Sequence, residues 1–182
     1  VAIGAHPGFL DKEDFGRLEK PIMPDEVYEL TLYQIGALYG FVRAAGGRLH
    51  HVKAHGALYN MAARDRQLAD ALVTAVHDFD PELVLYALAG SEMIEAAHEK
   101  GLRVAAEGFV DRNYMPDGRL VPRSHPAALI TDIATAVRQS VWLSERVDTI
   151  CVHGDTPDAV EMARAVYEAF TRSGITICPP TL

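Results

Sequence analysis

Titratable side chains recur in this chain at one kind of place, where a short apolar run stops. The stretch Leu49-His50-His51-Val52-Lys53-Ala54-His55-Gly56-Ala57-Leu58-Tyr59-Asn60 delivers a lysine and a histidine onto a glycine. Val1 to Gly8 ends in Gly4-Ala5-His6-Pro7-Gly8, Val104 to Tyr114 in Glu107-Gly108-Phe109-Val110-Asp111-Arg112, and Asp148 to Thr156 in His153-Gly154-Asp155-Thr156. In parallel β/α structures the C-terminal strand ends carry the chemistry. His6, Lys53, His55, Glu107, Asp111, Arg112, His153 and Asp155 are therefore the candidate site residues. Imidazoles and carboxylates suit proton transfer, while Lys53 and Arg112 suit an anion. The structural alternative is an Asp111-Arg112 ion pair and a helix cap at Asp155.

His6, His55 and His153 with Asp155 are also a donor set that zinc or manganese accepts. No His-x-x-x-His or Cys-x-x-Cys pair accompanies them, and strand-end histidines serve equally well as proton carriers, so a divalent metal stays unassigned. A surface role is expected for His50, His51, His77 and His98, the first two placed ahead of their strand and the others within helices; His125 is open. No phosphate loop of the Gly-x-x-x-x-Gly-Lys-Ser/Thr type occurs, so any nucleotide is bound another way.

The elements that must position these residues follow from periodicity and punctuation. Strands are expected over 1–5, 49–54, 83–88, 103–107, 148–153 and 175–178. A charged loop over 11–20 lies over the active face. Pro24, Asp25 and Glu26 start a helix whose stripe is Val27, Leu30, Ile35, Leu38 and Val42, with Gly36 and Gly40 allowing close packing and Gly46-Gly47 as the stop. His55 to Asn60 reads as a loop, 65–78 as a helix. Ser91 caps a helix that Gly101 ends. An irregular segment with a turn at Pro116-Asp117-Gly118 precedes a helix over 132–144. Thr156-Pro157-Asp158 opens the last helix, which ends at Gly174. This β-α alternation fits an open parallel sheet or an incomplete barrel.

With 182 residues, 49% of them apolar, the chain suits a single domain over 1–182 with a substantial core. A formal charge of −8 leaves no basic excess for nucleic acid or an anionic membrane. No apolar run approaches the roughly 20 residues of a membrane span, and the expectation is a soluble, cytoplasmic protein acting on a small molecule. Cys151 and Cys178 each sit in an apolar, strand-like run and read as small hydrophobes.

Five ordered stretches resemble the LamB/YcsF family: Gly4-Ala5-His6-Pro7-Gly8, Leu32-Tyr33-Gln34-Ile35-Gly36-Ala37-Leu38, Val52 to Asn60, Glu107 to Tyr114, and Val152-His153-Gly154-Asp155-Thr156-Pro157. The resemblance implies an α/β fold, a TIM-like, seven-stranded β/α barrel of the glycoside hydrolase and deacetylase type. The family's opening Asp-Leu-Asn-x-Asp-Leu-Gly-Glu strand and Gly-Phe-His-Ala-Gly-Asp segment are not in this sequence, so the expectation is a barrel without its N-terminal strand or strands. The family supplies the A subunit of an ATP-hydrolysing 5-oxoprolinase. The resemblance thus implies opening of 5-oxo-L-proline to L-glutamate with cleavage of ATP to ADP and phosphate, alongside partner subunits B and C. In that scheme Lys53 and Arg112, with Asn60 and Tyr114, hold the substrate carboxylate or phosphoryl oxygens. His6, His55 and His153 move protons, and Glu107, Asp111 and Asp155 orient them or activate water. Two rival readings are a metal-dependent carbohydrate or amide deacetylase and a non-catalytic substrate-binding or scaffold subunit.

Overall fold

The computed structural model describes residues 1–178. In chain order it contains β1 (Ile3–Ala5), α1 (Pro24–Ala44), β2 (Leu49–Val52), α2 (Gly56–Ala62), α3 (Arg66–Phe79), β3 (Val84–Leu88), α4 (Glu92–Lys100), β4 (Arg103–Phe109), α5 (Ile133–Leu143), β5 (Thr149–Cys151) and α6 (Ala159–Arg172). The chain divides into two compact units at a boundary within β4, one of Val1–Ala105 and one from Ala106 onward.

In the first unit β1 pairs with β2 and β2 with β3, both parallel and in chain order. β3 is apolar along its length and almost wholly buried, as a parallel strand covered on both faces must be. Helix α3 packs between α1 and α4. Its start is fixed by Asp65, whose carboxylate accepts from the Gln67 and Leu68 amides at 3.0 and 3.3 Å. At the head of α1 the Glu26 carboxylate accepts from the Met23 amide at 2.8 Å.

In the second unit β4 and β5 run parallel, with Glu107, Gly108 and Phe109 opposite Thr149, Ile150 and Cys151. Val110, Ile130, Ala136 and Met162 form a buried cluster, against which Ile133, Ile150 and Val152 pack. Helices α5 and α6 lie against each other. Asp132 caps α5, accepting from the Thr135 amide at 2.8 Å.

Several expectations are corrected. Residues 56–62 form helix α2 instead of a loop, because Gly56 turns the chain at φ +59° immediately after the strand exit. β4 runs on to Phe109, so Glu107 lies inside a strand. Helix α6 starts only at Ala159, with Asp158 at its N-cap, since Thr156 turns its hydroxyl elsewhere. Residues 175–178 form no strand, and Cys178 is exposed where burial was expected. His50 and His51 lie within β2. The His51 ring stacks on Tyr86 at 4.2 Å, and burial, with the charges of His50 and Lys53 adding to it, pushes its pKa down to about 4. On α1, Thr31 is buried while Leu30 and Leu38 are only half-buried.

Gly36 and Gly40 are exposed, and nothing lies within 4 Å of where a Cβ would sit, so they permit no close packing. Both therefore weaken α1 without compensation. Gly36→Ala and Gly40→Ala are each expected to stabilise the protein by about 0.5–1 kcal/mol, measured as a rise in urea midpoint at constant slope; a fall would show that these positions are covered.

Candidate functional site

The first unit builds its cluster from the parallel ladder between β1 and β2, which continues past the strands themselves. The Lys53 amide donates to the Ala5 carbonyl at 2.9 Å, and the His55 amide to Pro7 at 2.7 Å. This extension brings the side chains of His6 and His55 edge to face, with ring centroids 4.8 Å apart and planes at 76°. His6 Nε2 lies 3.1 Å from His55 Nδ1. The outer nitrogens meet backbone carbonyls: His6 Nδ1 donates to Lys53 O at 2.7 Å, and His55 Nε2 to Phe15 O at 2.7 Å.

Two glycines make room for this arrangement. A Cβ on Gly8 would stand 3.0 Å from the His55 Cβ, and one on Gly56 would stand 2.5 Å from the Gly16 carbonyl. That carbonyl accepts from the Ala57 amide at 2.9 Å, tying the 15–17 loop to the start of α2. Phe15 itself adopts φ 53°, an uncommon backbone for a non-glycine residue, and its ring meets His55 edge-on. Gln34 on α1 grips Gly8 from both sides, accepting from its amide at 3.2 Å and donating to its carbonyl at 2.8 Å. The Lys53 ammonium sits 5.9 Å over the Tyr59 ring, within cation–π range. Asn60 donates to Gly56 O at 3.1 Å, within its own helix.

In the second unit Asp111 is wholly buried. Its carboxylate accepts from the His153 amide at 2.8 Å, from His153 Nδ1 at 2.9 Å and from Thr156 Oγ1 at 2.7 Å. Burial alone would raise the pKa of Asp111, but the donors from His153 and Thr156 outweigh it and hold the carboxyl below its usual range. With Nδ1 turned to the carboxylate, the neutral form of the His153 ring is the tautomer with its lone pair on Nε2. The ring lies 5.5 Å from Phe109 in a nearly parallel stack.

Three side chains hold the backbone around Asp111. Gln139 on α5 donates to the carbonyls of Phe109 at 2.7 Å and Arg112 at 2.9 Å. Arg112 is buried and donates to Val121 O at 2.6 Å and Ala128 O at 3.3 Å. The Tyr114 hydroxyl accepts from the Phe109 amide at 2.6 Å; burial, with the Glu107 carboxylate adding to it, pushes this phenol up to about 12. Glu107 is 2% exposed on β4.

The structure thus gathers His6, Lys53 and His55 in one unit, and Asp111 and His153 in the other. Asp155 is exposed, and the N-cap of α6 is Asp158. The side chains of Arg112, Asn60 and Tyr114 all engage backbone groups. Thr156, Gln139 and Gln34 are not among the expected site residues. Thr156 and Gln34 each lie inside one of the five family-like stretches, but Thr156 reads as a cap, and nothing in the spacing marks either glutamine. Among the described residues no three His, Cys, Asp or Glu side chains gather as a metal-holding group. No helix among them is long and apolar enough to cross a membrane.

A sequence model described as the LamB/YcsF family matches residues 1–181. The chain belongs to the LamB/YcsF family. Among LamB/YcsF relatives, the 5-oxoprolinase A subunit of Geobacillus kaustophilus is 51% identical over 194 residues, covering 99% of this chain and 76% of that protein. The one from Heliobacterium modesticaldum is 52% identical over 191 residues, covering 97% and 75%. The crystal structure of a lactam utilization protein from Thermus thermophilus superposes with a TM-score of 0.84 at 46% identity, covering 96% of this chain and 75% of that one.

Because the folded pKa of Asp111 lies below its ordinary 3.8, its contribution to stability is complete above that value and is lost as pH falls through the folded pKa. Asp111→Asn is expected to cost about 2–4 kcal/mol at neutral pH and to flatten the acid limb of the stability profile. Denaturant midpoints across the acid range check both effects, and an unchanged acid limb would remove Asp111 from this role.

Proposed function

We propose that this chain is the A subunit of an ATP-dependent 5-oxoprolinase, converting 5-oxo-L-proline to L-glutamate with partner subunits B and C. The observation that carries the reading is half-identity over nearly the whole chain to proteins named as the A subunit of 5-oxoprolinase. The finer fold reading is the seven-stranded, TIM-like barrel of the glycoside hydrolase and deacetylase type; parallel strands paired in chain order within each unit support it.

A five-membered lactam is a poor electrophile. Transfer of the ATP γ-phosphoryl group to its carbonyl oxygen forms an O–P bond, releases ADP and leaves a carbon that water can attack. His153 is suited to take the proton from that water at Nε2, while Asp111 holds Nδ1–H and stabilises the imidazolium that forms. Breaking the ring C–N bond gives an amine that needs a proton and an acyl phosphate that a second water hydrolyses to the carboxylate and free phosphate; within the first unit, His6 and His55 are the side chains suited to proton transfer. Lys53 is the group for the substrate carboxylate, a point charge able to follow a small anion. Asp155 and Glu107 are assigned as orienting carboxylates, Asn60 and Tyr114 as polar contacts. Arg112, buried and bound to two loop carbonyls, is assigned to the loop that carries Asp111 ahead of the phosphoryl oxygens.

The test is 5-oxoproline-dependent release of glutamate and ADP by this chain together with subunits B and C. Turnover is expected only with all three. His153→Ala is expected to lower kcat by about 10²–10⁴-fold, and Lys53→Ala to act mainly through KM. Unaltered turnover without this chain would sink the proposal.

A further inference from the structure

We propose that Gln139 is the positioning residue of the Asp111–His153 pair, setting where the carboxylate stands and thereby the direction in which the imidazole is held. Asp111 lies at the point where the β4–β5 ladder gives out. The Val110 amide still donates to the Cys151 carbonyl at 3.1 Å, but the His153 amide turns to the Asp111 carboxylate at 2.8 Å. The backbone under that carboxylate therefore needs support from outside the sheet. Gln139 supplies it. Carbonyl oxygens only accept, so the nitrogen of the Gln139 amide is the atom that faces Phe109 O at 2.7 Å and Arg112 O at 2.9 Å. A single NH2 group thus directs both hydrogens to carbonyls that bracket Asp111 in sequence.

Helix α5 is placed for this reach. Ala136 docks it in the cluster with Val110, Ile130 and Met162. One turn beyond Gln139, Leu143 packs on Gly108 so closely that a Cβ there would stand 2.9 Å from Leu143 Cδ2. Ala136, Gln139 and Leu143 fall on one face of the helix at i, i+3 and i+7. Gly108 lets that face approach β4, and the glutamine side chain spans what remains.

The carboxylate of Asp111 is held from the other side. Its donors are the His153 amide, His153 Nδ1 and Thr156 Oγ1, all beyond β5. Asp111 is thus fixed through its main chain by α5 and through its side chain by the β5 exit, and the His153 ring takes its direction from a group held at both ends. Without Gln139 the β5 contacts remain, but the backbone that carries the carboxylate loses both bonds from α5.

The kinetic consequence rests on the proposed function, whereas the geometry does not. A displacement of about 1 Å in a reacting group costs on the order of 10²-fold in rate. A role through His153 therefore falls on kcat, while a role in helix packing alone falls on stability.

The experiment uses the full chain with Gln139→Met, which keeps the length and removes the donors, and Gln139→Glu, which keeps the shape and sets a carboxylate against two carbonyls. In sequentially assigned ¹H–¹⁵N spectra of the wild-type chain, both Gln139 side-chain N–H protons are expected to exchange slowly with water. The His153 Nδ1 signal, assigned by His153→Gln, is expected to move or broaden in both Gln139 variants. With subunits B and C present, kcat is expected to fall about 10²-fold and KM to stay close to wild type. Adding Gln139→Met to His153→Ala is expected to cost nothing further, because the two act on one step. A folded Gln139→Met chain with an unmoved His153 signal would overturn the proposal, as would additive losses in the double variant. Should neither variant fold, wild-type exchange decides, and Gln139 protons that exchange as fast as those of a solvent-exposed glutamine would overturn it. Absence of turnover by the wild-type chain would count against the oxoprolinase reading alone, and the two spectroscopic results would still decide the role of Gln139.

Discussion

A carboxylate with no solvent-exposed surface must be surrounded by donors, and the second unit is arranged around that requirement. Asp111 receives a backbone amide, an imidazole N–H and a hydroxyl, all from the β5 exit and the turn that follows. Those donors come from 42 and 45 residues away in sequence, so the carboxylate ties two strand exits together. Leaving it unpaired would cost several kcal/mol, comparable to a large share of a domain's net stability. The same bonds fix the tautomer and orientation of His153. Stability and the orientation of His153 are here consequences of one set of contacts.

The first unit meets a different constraint with a different device. Its histidines stand at the exits of two hydrogen-bonded neighbours, so the sheet register itself sets their separation. A one-residue slip would turn His6 or His55 to the other side of its strand. Glycines at 8, 16 and 56 let the loops close over the rings, and Gln34 and Gln139 show one solution used twice. In each unit an amide on a long helix grips the backbone just beyond a strand. A helix is rigid over its length, so it passes that rigidity to a segment that has no ladder of its own.

Much of this was legible in the sequence because strand exits in β/α chains carry the punctuation of the fold. Apolar runs ending in His-Pro-Gly, Lys-Ala-His-Gly or His-Gly-Asp located the strand exits that carry the candidate residues, and Pro24, Asp65, Gly101 and Asp132 located helix ends. Local signals failed where a side chain had a distant partner. Thr156 precedes a proline and an aspartate and so looks like a cap, yet its hydroxyl goes to Asp111. His50 and His51 are polar and adjacent, yet a stack on Tyr86 keeps His51 half-buried in a strand. The two glutamines bind carbonyls and amides that no pattern of side-chain types reports. Apolar stretch 175–178 has strand-like composition, but composition alone does not supply a neighbour to pair with.

The two histidine arrangements differ in the groups their ring nitrogens meet. His153 Nδ1 turns to the carboxylate of Asp111 at 2.9 Å. His6 Nδ1 and His55 Nε2 turn to backbone carbonyls, each at 2.7 Å. A carboxylate brings a full charge to the ring beside it, whereas a backbone carbonyl brings a dipole, so these contacts place side chains of the same type in different electrostatic surroundings.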